Sequence, residues 1–224
     1  MRILIFDTET TGLPKSRTLD GSNLHLWPYI VQFSYIILDI SSNEITNVKD
    51  AIIKIPSNII IMEETSKIHG ITNEITAEKG ISIEIMMDEF FSDIVDIDLI
   101  VAHNLSFDLN MIKCELLRLI KENDNADKYN RYFNEIVNFK KMYCTMQESI
   151  DLCNIEAKYK NGNKYIKFPK LIELYEKLFK TTPTKLHNSL NDVAVCARCF
   201  MKLKYNIDLL EKNNEITKLI SCLI

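Results

Sequence analysis

The chain has 224 residues, 46% apolar and 26% charged, with five glycines and five prolines, which excludes disordered, collagen-like and low-complexity classes and leaves room for one sizeable core. Lys and Arg number 27 against 31 Asp and Glu, so the net charge is −4 and a globally basic nucleic-acid coat is excluded. Any nucleic-acid role must come from a local site. The six cysteines show no tight framework spacing in a chain too large to need staples, which predicts reduced thiols in an intracellular protein. The apolar run at the N-terminus is too short for a signal peptide. The most apolar stretch, residues 51–62, is broken by Lys54 and Pro56, and nothing approaches the roughly 18 apolar residues of a membrane span, so a soluble protein with no membrane partner is expected.

In chain order, residues 2–6 predict a buried strand, 29–39 a β-branched and aromatic strand after Pro28, and 48–55 a third strand ending at Pro56. The polar residues 14–27, with Asp20-Gly21, read as a loop, and the short links between the runs suggest an antiparallel meander. From Ser82, Ile85, Met86, Phe90 and Ile94 recur at helical spacing. Residues 98–102 predict a buried strand, and Phe107, Met111, Cys114 and Leu117 open a largely apolar helix after it. Residues 121–141 read as an elaborated surface connection without a sustained period. Pro169 starts a helix signal carried by Leu171, Leu174, Tyr175, Leu178 and Phe179. Asn188 or Ser189 is placed to cap the next helix, which turns Leu190, Val193, Ala197 and Phe200 inward. This order predicts an α/β fold, one mixed sheet with helices on its faces.

Asp7 and Glu9 stand at the end of the first strand, and a two-residue period puts both side chains on one face, where they repel unless a cation lies between them. In a chain with 31 acids that spacing also arises by chance, so context decides. The context is Asp7-Thr8-Glu9-Thr10-Thr11-Gly12-Leu13, then His103-Asn104-Leu105-Ser106-Phe107-Asp108, then His187-Asn188-Ser189-Leu190-Asn191-Asp192.

In these three segments, in this order, the chain resembles the DEDDh family of 3′-to-5′ exonucleases, whose members include polymerase proofreading subunits and ribonuclease T. The resemblance implies a ribonuclease H-like fold, with parallel strands added to the meander, over residues 1–205. Residues 206–224, carrying Ile207, Leu210, Ile216, Leu219, Ile220 and Leu223, are expected to pack on that domain as a helical segment, with a docking helix for a partner as the alternative. By resemblance, Asp7, Glu9, Asp108 and Asp192 hold two divalent cations, Asp7 bridging, Glu9 and Asp192 completing one shell, and Asp108 acting mainly through water. Oxygen donors of this kind suit Mg²⁺ or Mn²⁺ rather than zinc. Two such ions, roughly 3.5 to 4 Å apart, clamp the attacking and leaving oxygens of an in-line displacement. His187 is then the general base, because imidazole is the side chain whose unperturbed pKa lies nearest physiological pH.

The implied reaction releases nucleoside 5′-monophosphates from single-stranded DNA or RNA 3′ ends. The alternative is a catalytically silent nucleic-acid-binding or partner-docking module, whose signature, a lost ligand, is absent here. A polymerase or a second copy of the chain stays open as a partner, and DNA and RNA are not distinguished. The family likeness assigns the terminal nucleotide to Thr10, Thr11, Gly12 and Leu13, with Ile68 or Ile71 as an apolar wedge beside Leu13 and Phe107 under a neighbouring sugar or base. His69, before Gly70, is expected to bind phosphate or the last nucleotide; His103 and Asn104 read as hydrogen-bonding scaffold near Asp108, Asn104 also near substrate. Residues 140–185 hold ten lysines against five acids, leaving −9 for the remainder of the chain. Within them, Asn161-Gly162 lies between aromatic and basic arms, a hairpin signal, and Lys160 and Lys164 are expected to guide an incoming single strand. Cys196 and Cys199 lack a second pair at zinc spacing and, like Met86, Met87 and Met142, read as core. Ser189 and Cys144-Thr145 depart from residues common in the family.

Overall fold

The computed structural model describes residues 1–42, 44–122, 124–183 and 186–211. Strand β1 (Arg2–Thr10) pairs antiparallel with β2 (Ile30–Asp39), and β2 antiparallel with β3 (Glu44–Ile52). On the other side of β1, β4 (Leu99–Ala102) runs parallel to it and β5 (Met142–Cys144) parallel to β4, giving the order β3-β2-β1-β4-β5. This is the mixed sheet expected from the sequence, a meander of three strands extended by parallel ones.

The pleat divides the core. Leu4 and Phe6 of β1, with Phe33, Tyr35 and Ile37 of β2, face one layer, whereas Ile3 and Ile5, with Ile36 and Leu38, face the other. After β3 come the short helices α1 (Glu63–His69) and α2 (Asn73–Lys79) and then α3 (Ile83–Asp93), whose Met86, Met87 and Phe90 cover the first face together with α4 (Leu105–Glu122). Phe90 lies 5.1 Å from the Phe33 ring and 5.6 Å from Tyr35, centroid to centroid, in tilted and edge-on contacts that aromatic quadrupoles favour. Ile85, expected inside, is 51% exposed: the buried stripe of α3 runs through Met86, Met87, Phe90 and Phe91 instead.

Residues 121–141 are not a plain surface connection. They contain α5 (Ala126–Val137), which packs on α4 with Tyr129 and Ile136 buried and Tyr132 and Phe133 against the same core. These four positions have helical spacing, which the surrounding Asn, Asp and Lys obscure.

Beyond β5, α6 (Thr145–Glu148) and α7 (Ile150–Cys153) lead to the hairpin of β6 (Glu156–Lys158) and β7 (Lys164–Ile166), closed at Gly162 with φ 87°. The Gly162 N–H donates to the Tyr159 carbonyl at 2.9 Å and the Tyr159 N–H to the Asn163 carbonyl at 2.8 Å, a three-residue loop with a glycine bulge. Helix α8 (Leu171–Phe179) begins two residues after Pro169, with Lys170 at its N-cap, so the proline precedes the helix rather than occupying its first turn. Helix α9 (Ser189–Tyr205) covers the second sheet face through Val193, Ala197 and Phe200 and is capped by Asn188, whose side chain accepts from the Asn191 N–H.

Strand β2 is buried along nearly its whole length, which its unbroken apolar run reflects. Strand β3 is an edge, exposed at every second residue from Glu44 to Asp50, and starts at Glu44 and ends at Ile52 rather than spanning 48–55, because an edge with one wet face needs no continuous apolar run. Cys114, Cys144, Cys153, Cys196 and Cys199 are free and buried. Ile207 and Leu210 pack on the α9 side, Leu209 is buried and Arg198 pairs with Asp208 at 2.7 Å; Ile216, Leu219, Ile220, Leu223 and Cys222 lie outside the described residues. Among the described residues no helix is long and apolar enough to cross a membrane.

Candidate active site

Strand β1 outruns its parallel neighbour. Pairing with β4 stops at Ile5 opposite Val101, whereas pairing with β2 continues to Thr10, with a bulge between Glu9 and Thr10. A crevice therefore opens beside residues 7–9, at the carboxyl end of the parallel strands, where ligands of open α/β sheets gather. The odd positions Asp7 and Glu9 point to the α9 face, as the packing of Ile3 and Ile5 requires. Helix α4 starts directly after β4 and carries Asp108 in its first turn; α9 carries Asp192 in its own.

Asp108, 2% exposed, comes from the opposite face of the sheet: its Oδ1 accepts both the Thr8 N–H, at 3.0 Å, and the Thr8 hydroxyl, at 2.8 Å. That N–H is free to turn outward because β4 no longer pairs there. From the α9 side, Glu9, His187 and Asp192 each present a potential ligand atom within 4.8 Å of the others'. Asp192 Oδ2 accepts the His187 N–H at 3.2 Å, while Asp192 Oδ1 is buried and has no hydrogen-bond partner among the described residues. His187 is exposed, with φ 68°, immediately before the Asn188 cap.

The acids oppose one another electrostatically. Burial pushes the Glu9 carboxyl up to about 8, helped by the Asp7 charge. Burial likewise raises Asp7, Asp108 and Asp192, with the Asp7 charge pushing the latter two further. The Asp7 charge thus reaches the other three acids, while the group whose ligand atoms lie close enough to share an ion, among the described residues, is Glu9, His187 and Asp192, without Asp7 or Asp108. The Glu9 and Asp192 carboxylates, held at such a cost to ionisation and with one buried oxygen unpartnered, fit a hard divalent cation.

The turn after β1 is tightly tied. The Thr10 hydroxyl donates to the Gly12 carbonyl at 2.6 Å, and Thr11 exchanges bonds with Tyr29 through its N–H at 2.9 Å and its hydroxyl at 3.0 Å. Leu13 is 80% exposed and Ile68 57%, so neither is a core residue, whereas Ile71 is buried and Phe107 packs partly on the core. Asn104 adopts a left-handed backbone, φ 66°, and its carbonyl accepts the Phe107 N–H at the start of α4.

His69, expected to bind phosphate or the last nucleotide, bonds through both ring nitrogens within the chain. Its Nδ1 accepts the Ile71 N–H at 3.0 Å, so Nε2 carries the proton and faces the Thr10 carbonyl at 3.3 Å; both nitrogens are spent inside the chain, and burial lowers its pKa. It ties α1 to the end of β1. His103 is the scaffold expected: Nδ1 meets the Thr145 hydroxyl at 2.9 Å, Nε2 the Pro169 carbonyl at 3.1 Å, and burial lowers its pKa to about 4, so it stays neutral. On the hairpin, Lys160 is exposed, Lys164 pairs with Glu156 at 2.7 Å, and the Tyr159 and Tyr165 rings stack on each other at 4.2 Å.

Sequence reasoning missed Thr8 and Ser189. Thr8 stands between two carboxylates on the opposite pleat and is a natural partner for an acid from that side. Ser189, noted as a candidate cap and as a departure, donates its hydroxyl to the Asp7 carbonyl at 2.6 Å.

The sequence profile of a family described as Exonuclease matches residues 4–200. DNA polymerase III subunit epsilon of Buchnera aphidicola is 28% identical over 169 residues, which are 74% of this chain and 66% of that protein. Among solved structures, Escherichia coli exonuclease I in complex with a dA16 oligonucleotide shares the fold at a TM-score of 0.57 with 14% identity, over 99% of this chain and 42% of that one. Exonuclease I of Methylocaldum szegediense does so at 0.59 with 16% identity, over 94% and 42% respectively. The chain thus spans just under two thirds of the epsilon subunit and less than half of the exonuclease I chains.

Proposed function

The chain belongs to the DEDDh family of 3′-to-5′ exonucleases, and from that premise we propose that it hydrolyses phosphodiester bonds at single-stranded 3′ ends, releasing nucleoside 5′-monophosphates. Asp7, Glu9, Asp108 and Asp192 would hold two divalent cations, Mg²⁺ or Mn²⁺, with Asp7 shared. When bound, the ions would neutralise the acidic cluster and the charge on the phosphoryl and leaving oxygens. The observation that carries this reading is the buried, unpartnered Asp192 Oδ1 among carboxyls whose pKa values burial and mutual repulsion raise.

The chain's own groups do the rest. His187 accepts the proton of the attacking water; its exposure and its position outside the helix let the ring turn while Asp192 stays fixed in α9. Asp108, whose Oδ1 is clamped by Thr8, keeps its second oxygen for the proposed ion. Exposed Leu13 and Ile68 wedge against the terminal base, Phe107 lies under its neighbour, and the backbone of Thr10, Thr11, Gly12 and Asn104 lines the path. His69 contributes by holding Thr10 in place. Lys160 and Lys164 steer the strand. The likeness to an epsilon subunit, and the oligonucleotide held by exonuclease I, favour DNA as substrate and a polymerase as partner.

Matched 5′-labelled single-stranded DNA and RNA, incubated with Mg²⁺, Mn²⁺ or a chelator, test the proposal. A ladder shortening from the 3′ end, dependent on the cation and faster on DNA, is expected. Internal cuts alone, or degradation that persists in chelator, would overturn it.

A further inference from the structure

Two polar residues interrupt the buried strand β2: Gln32, 1% exposed, and Ser34, fully buried. They lie opposite Glu9 and Asp7 in the ladder and so share their face of the sheet. Next along, on the edge strand β3, stands Asp50, opposite Ser34. An exposed acid on an edge strand is ordinarily a solvated charge. Here one oxygen, Asp50 Oδ1, accepts the Gln32 amide at 2.8 Å and the Ser34 hydroxyl at 2.7 Å.

This arrangement has a direction. An ionised carboxylate only accepts, so the Gln32 NH₂ group must face Asp50 and its Oε1 must face away. That oxygen meets the first turn of α9, where it accepts the Ser189 N–H at 3.2 Å and lies 3.4 Å from Asn188 Nδ2. The Ser189 N–H is one of the donors that a helix start leaves without an internal partner. Asn188 meanwhile caps the helix through its other side-chain atom, and Ser189 anchors to the Asp7 carbonyl. Bonds fixing the turn that carries His187 and Asp192 thus run to β1, within the turn itself, and through Gln32 to Asp50.

We infer that Asp50 and Gln32 are positioning residues: Asp50 sets the orientation of the Gln32 amide, and Gln32 sets where α9 begins, and with it the approach of His187 and Asp192 to Asp7 and Glu9. Neither is a ligand or an acid-base group. The inference rests on the metal-site reading above, but its first link, the hold on the Ser189 N–H, is independent of catalysis.

Three variants test it: Asp50→Asn, which lets the Gln32 amide turn over; Gln32→Met, which keeps the bulk and removes the bonds; and the exchange Asp50→Asn with Gln32→Glu, which restores donor-to-acceptor order. Outer groups that orient metal ligands are worth about 10- to 100-fold in metal affinity or activity. Calorimetric Mn²⁺ binding is expected to weaken by about 10-fold or more in Gln32→Met and by less in Asp50→Asn, with kcat falling in parallel, KM for the oligonucleotide unchanged, and partial recovery in the exchange variant. Amide exchange at Ser189 should quicken in both single variants in metal-free protein. Folded variants with wild-type Mn²⁺ affinity, kcat and Ser189 exchange would overturn the inference. If Gln32→Met fails to fold, the exposed position Asp50 decides the matter. If the unaltered protein neither binds Mn²⁺ nor cuts, the proposed function fails, and Ser189 exchange alone judges the positioning role.

Discussion

Asp108 and Thr8, one hundred residues apart in sequence, are joined by two hydrogen bonds to a single carboxylate oxygen, one from the Thr8 backbone and one from its hydroxyl. The pair locks the start of α4 to the open side of β1 and fixes which Asp108 oxygen remains for other work. Thr8→Val keeps the shape and removes one donor. A buried carboxylate that loses one bond should cost the fold about 1 to 3 kcal/mol, and activity should drop by about 10-fold through the loosened ligand. Denaturant melts with a nuclease assay read both; an unchanged pair of values would deny Thr8 its role.

Asp7→Asn separates stability from function. It removes the charge that pushes Asp108, Asp192 and Glu9 upward, so the metal-free protein should melt at a higher temperature at pH 8 while nuclease activity disappears. Retained activity, or calorimetry still showing two Mn²⁺ ions bound, would contradict a shared-ligand role for Asp7.

The raised carboxyls also set the pH response of the metal-free fold. Glu9 titrates at about 8 when folded, against roughly 4 when unfolded, so the folded state holds its proton more tightly. Its contribution is fully present below the unfolded pKa and is lost as pH rises through the folded one; Asp7, Asp108 and Asp192 act in the same sense. Melting temperature without metal should therefore fall from about pH 5 to about pH 9, and Mg²⁺ should restore most at the alkaline end. A flat profile would mean that the acids do not repel.

His187 lies outside the helix in a left-handed backbone that Asn tolerates better than Ala. His187→Asn should thus fold as the wild type does, bind oligonucleotide normally, and lose about 10² to 10⁴ in turnover. Single-turnover kinetics beside a binding titration measure the split, and undiminished turnover removes His187 from the chemistry.

Lys160→Ala with Lys164→Ala probes the hairpin. If each lysine neutralises one phosphate, the slope of log affinity against log salt should flatten by about 0.7 for each. The pairing of Lys164 with Glu156 makes Lys160 the larger contributor. An unaltered slope would leave the hairpin a packing element.

Where side chains follow the backbone period, the candidate site is legible in the sequence. Asp7 and Glu9 share a face because strands alternate; Asp192 sits one turn beyond a cap that Asn188 announces in sequence. The Asn161-Gly162 turn was equally plain, since glycine takes the positive φ that the loop demands. What escaped depends on partners far away in sequence. His69 next to a glycine resembles a ligand until the Ile71 N–H and the Thr10 carbonyl claim both nitrogens. Asp50 resembles edge decoration until a buried amide turns toward it. Helix α5 was hidden because its four apolar anchors are diluted by polar neighbours on an exposed face.

The sheet's two faces contribute unequal shares of the proposed acidic centre: Asp7 and Glu9 of β1 share the α9 face with Asp192, whereas Asp108 bonds to Thr8 from the other. Hydrolytic competence on this reading needs both helical layers docked at once. A nascent chain that has left the ribosome only as far as α8 would be harmless to nucleic acid, and cutting would switch on late in synthesis, when Asp192 arrives.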